Sequence, residues 1–250
     1  MSNYYSDKIV IITGGSRGIG KGLVEAYARE NCKTYFTYLS SVSNAQKIED
    51  DLQEEGLFVK GMQVDGRNEG DVKEFISRVV DEHNKVDILV NNAGYIPRGL
   101  FLNTTKGIWD KTIDTNLNGV FNYCQEVLKH MMLKKEGVIL NISSVSALHP
   151  GKGQAAYSAS KAAIESLTKL LAMEYGKYNI RVNSIAPGLI ETEVFKSITA
   201  SIKGEILKKT PLNRFGIVED VTNSALFLSS EKAEFITGIQ LLVTGGRHLY

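Results

Sequence analysis

Cysteine is scarce in this sequence: Cys32 and Cys124 are the only two in 250 residues. Two thiols cannot build a disulfide framework, and neither has metal-ligand spacing, so both are expected to pack as small apolar groups in a reducing cytosol. The four histidines, His83, His130, His149 and His248, are scattered without a companion cysteine or carboxylate cluster, which argues against a metal centre. An excess of one charge is missing too. The formal net charge is +1, so no overall field recruits nucleic acid or an acidic membrane. No apolar run approaches the ~20 residues of a membrane span. The segment Met1 to Lys8 lacks the basic start and apolar centre of a signal peptide, and a cytoplasmic location is expected. Linkers, low-complexity stretches and internal repeats are absent as well, so one domain over 1–250 is expected.

What is present is a regular alternation of strand-like and helix-like segments, which predicts an α/β fold: a doubly wound parallel sheet of Rossmann type with helices on both faces. Lys8 to Thr13 is a continuous apolar run, as a central strand buried on both sides requires. Further strands are expected around Thr34 to Thr37, Leu57 to Val64, Val86 to Val90, Gly137 to Ile142, Ile180 to Ala186 and Gln240 to Val243, giving about seven. Helices are expected over Gly18 to Glu30, Ser43 to Glu55, Asp71 to His83, Trp109 to Leu133, Gln154 to Tyr178 and Glu219 to Leu228.

Between the first strand and first helix lies Thr13-Gly14-Gly-Ser16-Arg17-Gly18-Ile19-Gly20. A glycine-rich turn there lets backbone approach a pyrophosphate, and the helix N-terminus offers free N–H groups to it. Its spacing, Gly-x-x-x-Gly-x-Gly, differs from the commonest dinucleotide fingerprint. The end of the second strand bears on the choice of nicotinamide. An acid there would bond the ribose 2′-hydroxyl and repel a 2′-phosphate, but no Asp or Glu occurs from Asn31 to Ile48. Thr37, Tyr38, Ser40 and Ser41 offer hydroxyls instead, and Arg17 a guanidinium suited to phosphate. These features favour NADP(H) over NAD(H).

Tyr157 and Lys161 are four apart, hence on one helical face roughly 6 Å from each other. A free tyrosine has a pKa of about 10 and exchanges protons poorly near neutrality. A neighbouring ammonium is expected to favour the phenolate and bring that pKa toward the working pH.

Together these pieces resemble the short-chain dehydrogenase/reductase family from first strand to last. The matching residues are the Thr13 to Gly20 turn, Asn91-Asn-Ala93-Gly94, Asn116, Ser144 thirteen residues before Tyr157, Tyr157-x-x-x-Lys161, and Pro187-Gly188. Within the family the chain is most similar to β-ketoacyl-acyl-carrier-protein reductases and polyketide ketoreductases, which Asn183 to Thr192 and Thr237 to Gln240 also fit. The resemblance implies an NADPH-dependent ketoreductase. Tyr157 would donate the proton, Ser144 (with neighbouring Ser143 as its rival) would stabilise the ketone oxygen, and Lys161 would bind the nicotinamide ribose. Asn116 would hold a water that reconnects Lys161 to solvent. Asp65 and the backbone of Gly66 would meet the adenine, Asn91, Ala93 and Gly94 the ribose region, and Pro187, Gly188, Ile190 and Thr192 the nicotinamide end.

The resemblance also implies a homo-tetramer assembled on the helices near Asn116 to Leu133 and Gln154 to Tyr178. A substrate lid is expected over 189–215, with Val194, Phe195, Ile198, Ile202 and Leu207 lining it and Tyr95, Ile96, His149 and Gln154 nearby. Lys129, Lys134, Lys135 and Lys177 are expected to form a basic patch beside the active-site mouth, able to receive an acidic carrier protein. Departures from the family are Gly66 in place of the usual valine, Thr244 in place of an aspartate, and the tail Arg247 to Tyr250. Two other readings stay open: an NADP-dependent dehydrogenase or reductase of a small alcohol, sugar or steroid-like ketone, and a non-catalytic NADP sensor. The intact Asn116, Ser144, Tyr157 and Lys161 set argues against the sensor.

Overall fold

A computed structural model describes residues 4–196 and 198–250. Seven strands form one parallel sheet: β1 (Ile9–Ile12), β2 (Lys33–Tyr38), β3 (Val59–Gln63), β4 (Ile88–Asn91), β5 (Gly137–Ile142), β6 (Ile180–Pro187) and β7 (Gln240–Val243). Their spatial order is β3-β2-β1-β4-β5-β6-β7, so the winding reverses between β1 and β4. That reversal opens a crevice at the carboxyl ends of the two strands, where such sheets bind ligands.

Period-two alternation sends the residues of β1 to both faces. Val10 and Ile12 join a core with α1 (Gly18–Arg29), α2 (Val42–Glu54) and α9 (Val218–Ser229). Ile9 and Ile11 join another with α3 (Glu69–His83), α5 (Gly119–Lys134) and α6 (Ala155–Tyr175). Burial on both faces explains why β1, β4 and β5 are wholly buried and largely apolar, with Asn91 and Asn141 as the polar residues inside β4 and β5. Both cysteines lie in these cores, and burial pushes each thiol up to about 12.

The helix expected over Trp109 to Leu133 is not uniform. It begins earlier, as α4 (Lys106–Ile113), passes through a π turn at Asp114–Asn118, and continues as α5. The N–H of Gly119 bonds the carbonyl of Asp114, five residues back. Amphipathic periodicity does not register one inserted residue, and π turns of this kind recur at functional sites. The helix expected to run to Tyr178 ends at Tyr175, followed by a short 3-10 turn and Asn179 in the left-handed region. The lid region carries two short helices that were not anticipated, α7 (Glu193–Lys196) and α8 (Ala200–Lys208). Of Val194 only the backbone is described. No described helix is long and apolar enough to cross a membrane.

Candidate active site

The glycine turn is built by close approach. Gly14 has φ +67°, and a Cβ on it would lie 2.8 Å from the Cα of Ala93. A Cβ on Gly20 would overlap the Gly14 carbonyl oxygen, so this glycine packs the helix against the turn itself. The β4 loop clamps the turn from the other side. Asn92 donates its amide to the carbonyls of Thr13 (2.9 Å) and Gly14 (3.0 Å), while the Thr13 hydroxyl accepts the N–H groups of Asn92 and Ala93, both at 3.0 Å. Thr13 and Asn92 lie inside the sequence motifs, and their clamping role emerges only where β1 and β4 lie side by side. The first turn of α1 contains no acid, and its N-cap residue, Arg17, makes no side-chain cap bond. That first turn suits an anionic group, so the residues present fit a dinucleotide pyrophosphate. Arg17 is exposed, Ser16 and Gly20 are buried in the turn, and Ile19 leans on the core.

At the adenosine end the positions divide. Tyr38 and Ser40 lie at the open end of β2, half-buried and exposed respectively. Thr37 does not join them. It is 3% exposed and its hydroxyl accepts from the phenol of Tyr123 at 3.2 Å, because alternation along β2 turns it to the opposite face from Tyr38. The expectation that Thr37 presents a hydroxyl to a 2′-phosphate is therefore corrected. Asp65 is gripped by Arg67, whose guanidinium holds its carboxyl below the usual range. A Cβ on Gly66 would lie 3.1 Å from the Tyr123 ring, so the missing valine leaves its space to that tyrosine.

The Asn91 side chain is anchored in the interior. Its side chain donates to Asn141 at 2.9 Å and to the sulfur of Cys124 at 3.3 Å, in a buried network that continues from Asn141 to Thr168. Only its backbone faces the crevice edge.

On the catalytic side β5 ends in Ser143 and Ser144, and the two point differently. The Ser143 hydroxyl reaches back to the carbonyl of Lys161, at 3.5 Å. Ser144 accepts the N–H of Ser146 at 3.1 Å, and its hydroxyl stands near enough to the Tyr157 phenol to pull that group's pKa down. Two hydroxyls thus converge, and the geometry selects Ser144. Burial raises the Tyr157 phenol above its ordinary value, with the Ser144 hydroxyl pulling the other way. Lys161 stands with its Nζ 5.9 Å from the Tyr157 ring centroid and donates to the carbonyl of Ile142 at 2.7 Å. Burial brings the lysine itself down to about 8, and Glu165 opposes the fall.

Asn116 lies in the π turn and is fully buried. Its Oδ1 accepts the N–H of Tyr95 at 2.7 Å, and its amide donates to the Tyr95 carbonyl at 3.0 Å and to Ser160 Oγ at 3.1 Å. Ser160 passes a 2.7 Å bond to the carbonyl of Tyr157. Both amide protons are therefore committed to protein and not to solvent. The side chain thus fixes the loop after Gly94 to the first turn of α6. A Cβ on Gly94 would lie 3.7 Å from Asn116 Oδ1 and 3.9 Å from Lys161 Nζ, so the three meet at one point.

Pro187 and Gly188 leave β6 at the same edge, and Thr192 faces Gly18 across the crevice. Ile190 is buried and bridges to Gly216. Of the expected lid lining, Phe195 packs edge-on against Phe215 at 4.9 Å, Ile198 is buried, Leu207 is half-buried and Ile202 is exposed. Gln154 accepts from Ser146, while Ile96 and His149 stand exposed at the rim and Tyr95 is half-buried. A cavity of about 290 Å³ lies behind the lid among Leu189, Ile206, Leu212, Leu242 and Arg247, and none of the four catalytic candidates lines it. At the departure in the last strand, Thr244 bonds His248 of the tail at 2.8 Å, so the two unusual features are partners.

The lysine patch is not where it was expected. α5 and α6 both run away from the catalytic edge, and Lys177 is sixteen residues beyond Lys161, about 24 Å at 1.5 Å per residue. Lys134 and Lys135 end α5 at the same far edge, while Lys129 pairs with Glu126 at 2.6 Å. These lysines do not flank the Tyr157 mouth of their own subunit.

The family model described as enoyl-(acyl carrier protein) reductase matches residues 14–248. The chain is 39% identical over 239 residues to the 3-oxoacyl-[acyl-carrier-protein] reductase FabG of Chlamydia pneumoniae, covering 96% of each chain. To the protein of the same name from Staphylococcus epidermidis it is 36% identical over 243 residues, covering 97% of this chain and all of the relative. The crystal structure of gox2181 superposes with a TM-score of 0.94 at 32% identity, over 99% of both chains. With the family model matched over residues 14–248 and relatives matched over nearly the whole chain, the chain belongs to the short-chain dehydrogenase/reductase family of NAD(P)-dependent oxidoreductases acting on CH–OH groups.

Proposed function

We propose that this protein is an NADPH-dependent 3-oxoacyl-thioester reductase that takes its substrate from an acyl carrier protein. The observation that carries the reading is the corner of Ser144, Tyr157 and Lys161, where the lysine Nζ stands 5.9 Å from the phenol ring and Ser144 heads the turn after β5. When bound at this edge, reduced nicotinamide supplies the hydride to the ketone carbon. Tyr157 gives its proton to the oxygen, and its raised pKa keeps that proton in place at neutral pH. Ser144 donates a hydrogen bond toward the developing negative charge, an interaction strengthened in a site closed to water. Lys161 places a positive charge beside the ribose and the phenol. Asn116 and Ser160 hold Tyr95 and the α6 start in register. Gly14, Gly18 and Gly20, with Ser16 and Ile19, carry the phosphates, and Ala93, Gly94, Pro187, Gly188, Ile190 and Thr192 border the nicotinamide half.

The 3-oxoacyl substrate rests on the FabG relatives, which are full-length matches. NADPH rests on Arg17 and on the acid-free stretch after β2. The single unit over 1–250, with a lid over 189–215, rests on the continuous sheet and on α7 and α8. A homo-tetramer rests on α5 and α6, which leave Phe121, Leu133, Leu170 and Met173 exposed. Sedimentation showing a monomer at working concentration would defeat the assembly alone.

The deciding experiment measures NADPH consumption with acetoacetyl-carrier protein, free acetoacetyl thioester, crotonyl thioester and simple ketones. Turnover of the 3-oxoacyl substrates, highest on the carrier protein, is expected. Preference for the crotonyl thioester would favour enoyl reduction, and activity confined to simple ketones would favour a small-molecule reductase.

A further inference from the structure

After β7 the chain turns back onto the end of the lid. Gly245 and Gly246 have φ values of +61° and +87°, and a Cβ on them would meet Thr210 at 2.9 Å and Pro211 at 2.8 Å. The Gly245 carbonyl accepts the N–H of Leu212 at 3.2 Å, which ties tail to lid. This turn brings Arg247 to the cavity of about 290 Å³ whose apolar walls are Leu189, Ile206, Leu212 and Leu242. The other polar side chains around that cavity are already committed. Arg214 grips Asp220 through two bonds, at 2.7 and 2.8 Å. The hydroxyl of Thr210 donates to the carbonyl of Ile206 and that of Ser224 to the carbonyl of Asp220, each at 2.8 Å. Thr244 is held by His248 at 2.8 Å. Arg247 differs. It is half-buried, and its guanidinium has neither an ion pair nor a hydrogen bond among the described residues. A charge withdrawn from water without a partner is costly, and so calls for one.

We propose that this cavity binds a medium-chain carboxylate, with its head on Arg247 and its chain between α8 and the ends of β6 and β7. The inference is independent of the reaction assigned above, since none of Asn116, Ser144, Tyr157 and Lys161 lines the cavity. Charge selects the head group. Arg214, Asp220 and Arg247 together carry one net positive charge, which a monoanion neutralises and a phosphate dianion exceeds. The guanidinium fork matches a carboxylate with two parallel hydrogen bonds. The walls select the rest of the ligand, because four aliphatic side chains reward methylenes and offer a sugar or a base no partner. Size selects the length. At the ~30 Å³ that one water takes in the liquid, about 290 Å³ holds roughly ten non-hydrogen atoms, the size of octanoate.

The test is equilibrium dialysis of labelled octanoate against the full chain, with octanol and acetate as the uncharged and chainless controls. About one octanoate per chain is expected, bound at least tenfold more tightly than either control. Arg247→Gln and Arg247→Met each remove the charge and are expected to weaken octanoate by about tenfold to a hundredfold, as loss of a hydrogen bond to a charged group implies. Ile206→Trp fills the cavity and is expected to abolish binding while Arg247 stays in place. Saturating acetoacetyl thioester should leave the octanoate bound, because the two occupy different places. No binding at millimolar octanoate overturns the proposal. So does octanol binding as tightly as octanoate, or an affinity unchanged in whichever of the three variants folds. Displacement by the thioester from parent and Arg247 variants alike would put the octanoate at the catalytic edge and overturn it too.

Discussion

Asn116 holds both backbone polar groups of Tyr95, accepting its N–H at 2.7 Å and donating to its carbonyl at 3.0 Å. This bidentate grip ties the loop after Gly94 to the π turn, and Ser160 extends it to the helix that carries Tyr157. Asn116→Ala leaves buried backbone groups unpaired and is expected to cost about 1–3 kcal/mol of stability. Turnover should fall with it, because the grip sets the height of the α6 start. Thermal unfolding and steady-state kinetics check this; a variant with unchanged Tm and rate would show the grip to be dispensable.

Tyr157→Phe removes the proton donor and little else. Turnover should fall by more than tenfold while NADPH binding, measured by fluorescence titration, stays near the parent value. A loss smaller than tenfold, about 1.4 kcal/mol of barrier, would assign the proton to another group.

The coenzyme preference should respond to Arg17 and to the end of β2. Arg17 is exposed beside the first turn of α1, so Arg17→Ala is expected to erode the NADPH preference by about tenfold to a hundredfold, as a hydrogen bond to a charged group of ~1–3 kcal/mol implies. NADH turnover should be almost unchanged. Leu39→Asp or Tyr38→Asp should reverse the preference by placing a negative charge where a 2′-phosphate would sit. Equal kcat/KM with both coenzymes in the parent protein would refute the NADPH assignment.

The lysine gives a pH dependence with a definite sign. Burial lowers Lys161 to about 8, so ketone reduction is expected to decline as the pH rises above that value. Stability runs the other way. The folded state holds this proton less tightly than the unfolded chain, so the cost of burying the ammonium is fully present below pH 8 and is relieved as the pH climbs toward 10.5. Lys161→Met should therefore raise Tm at neutral pH while abolishing activity. A lower Tm would contradict the assignment of that cost to the charge.

Gly66 and Tyr123 are expected to be coupled. A Cβ at 66 meets the Tyr123 ring at 3.1 Å, and that ring is 3% exposed, so it has little room to yield. Gly66→Val should destabilise by about 1–3 kcal/mol through overpacking. In Tyr123→Leu the same change should cost less, and a double-mutant cycle by denaturant unfolding measures the difference.

The sequence by itself determined the layers of the fold, because apolar runs and their periods record which faces are buried. β1 was legible as a continuous apolar run, β4 and β5 as mainly apolar segments, and the glycine turn as the link between a strand and a helix. It also determined which residues are candidates for the chemistry, since Ser144, Tyr157 and Lys161 sit at fixed spacings on one strand end and one helix face. Where each side chain points was decided by tertiary structure. Thr37 and Asn91 carry the right groups in the right segments, yet strand alternation turns them into the interior, toward Tyr123 and Asn141. The π turn at Asn116 was hidden because one extra residue scarcely alters a helical pattern. The lysines of α5 looked close to the mouth only while the direction of the helix was ignored; packed on a parallel sheet, that helix must carry them to the opposite edge. The partnership of Glu165 with Ser184 was likewise invisible, because its members are joined by packing of helix on strand and by no local rule of sequence.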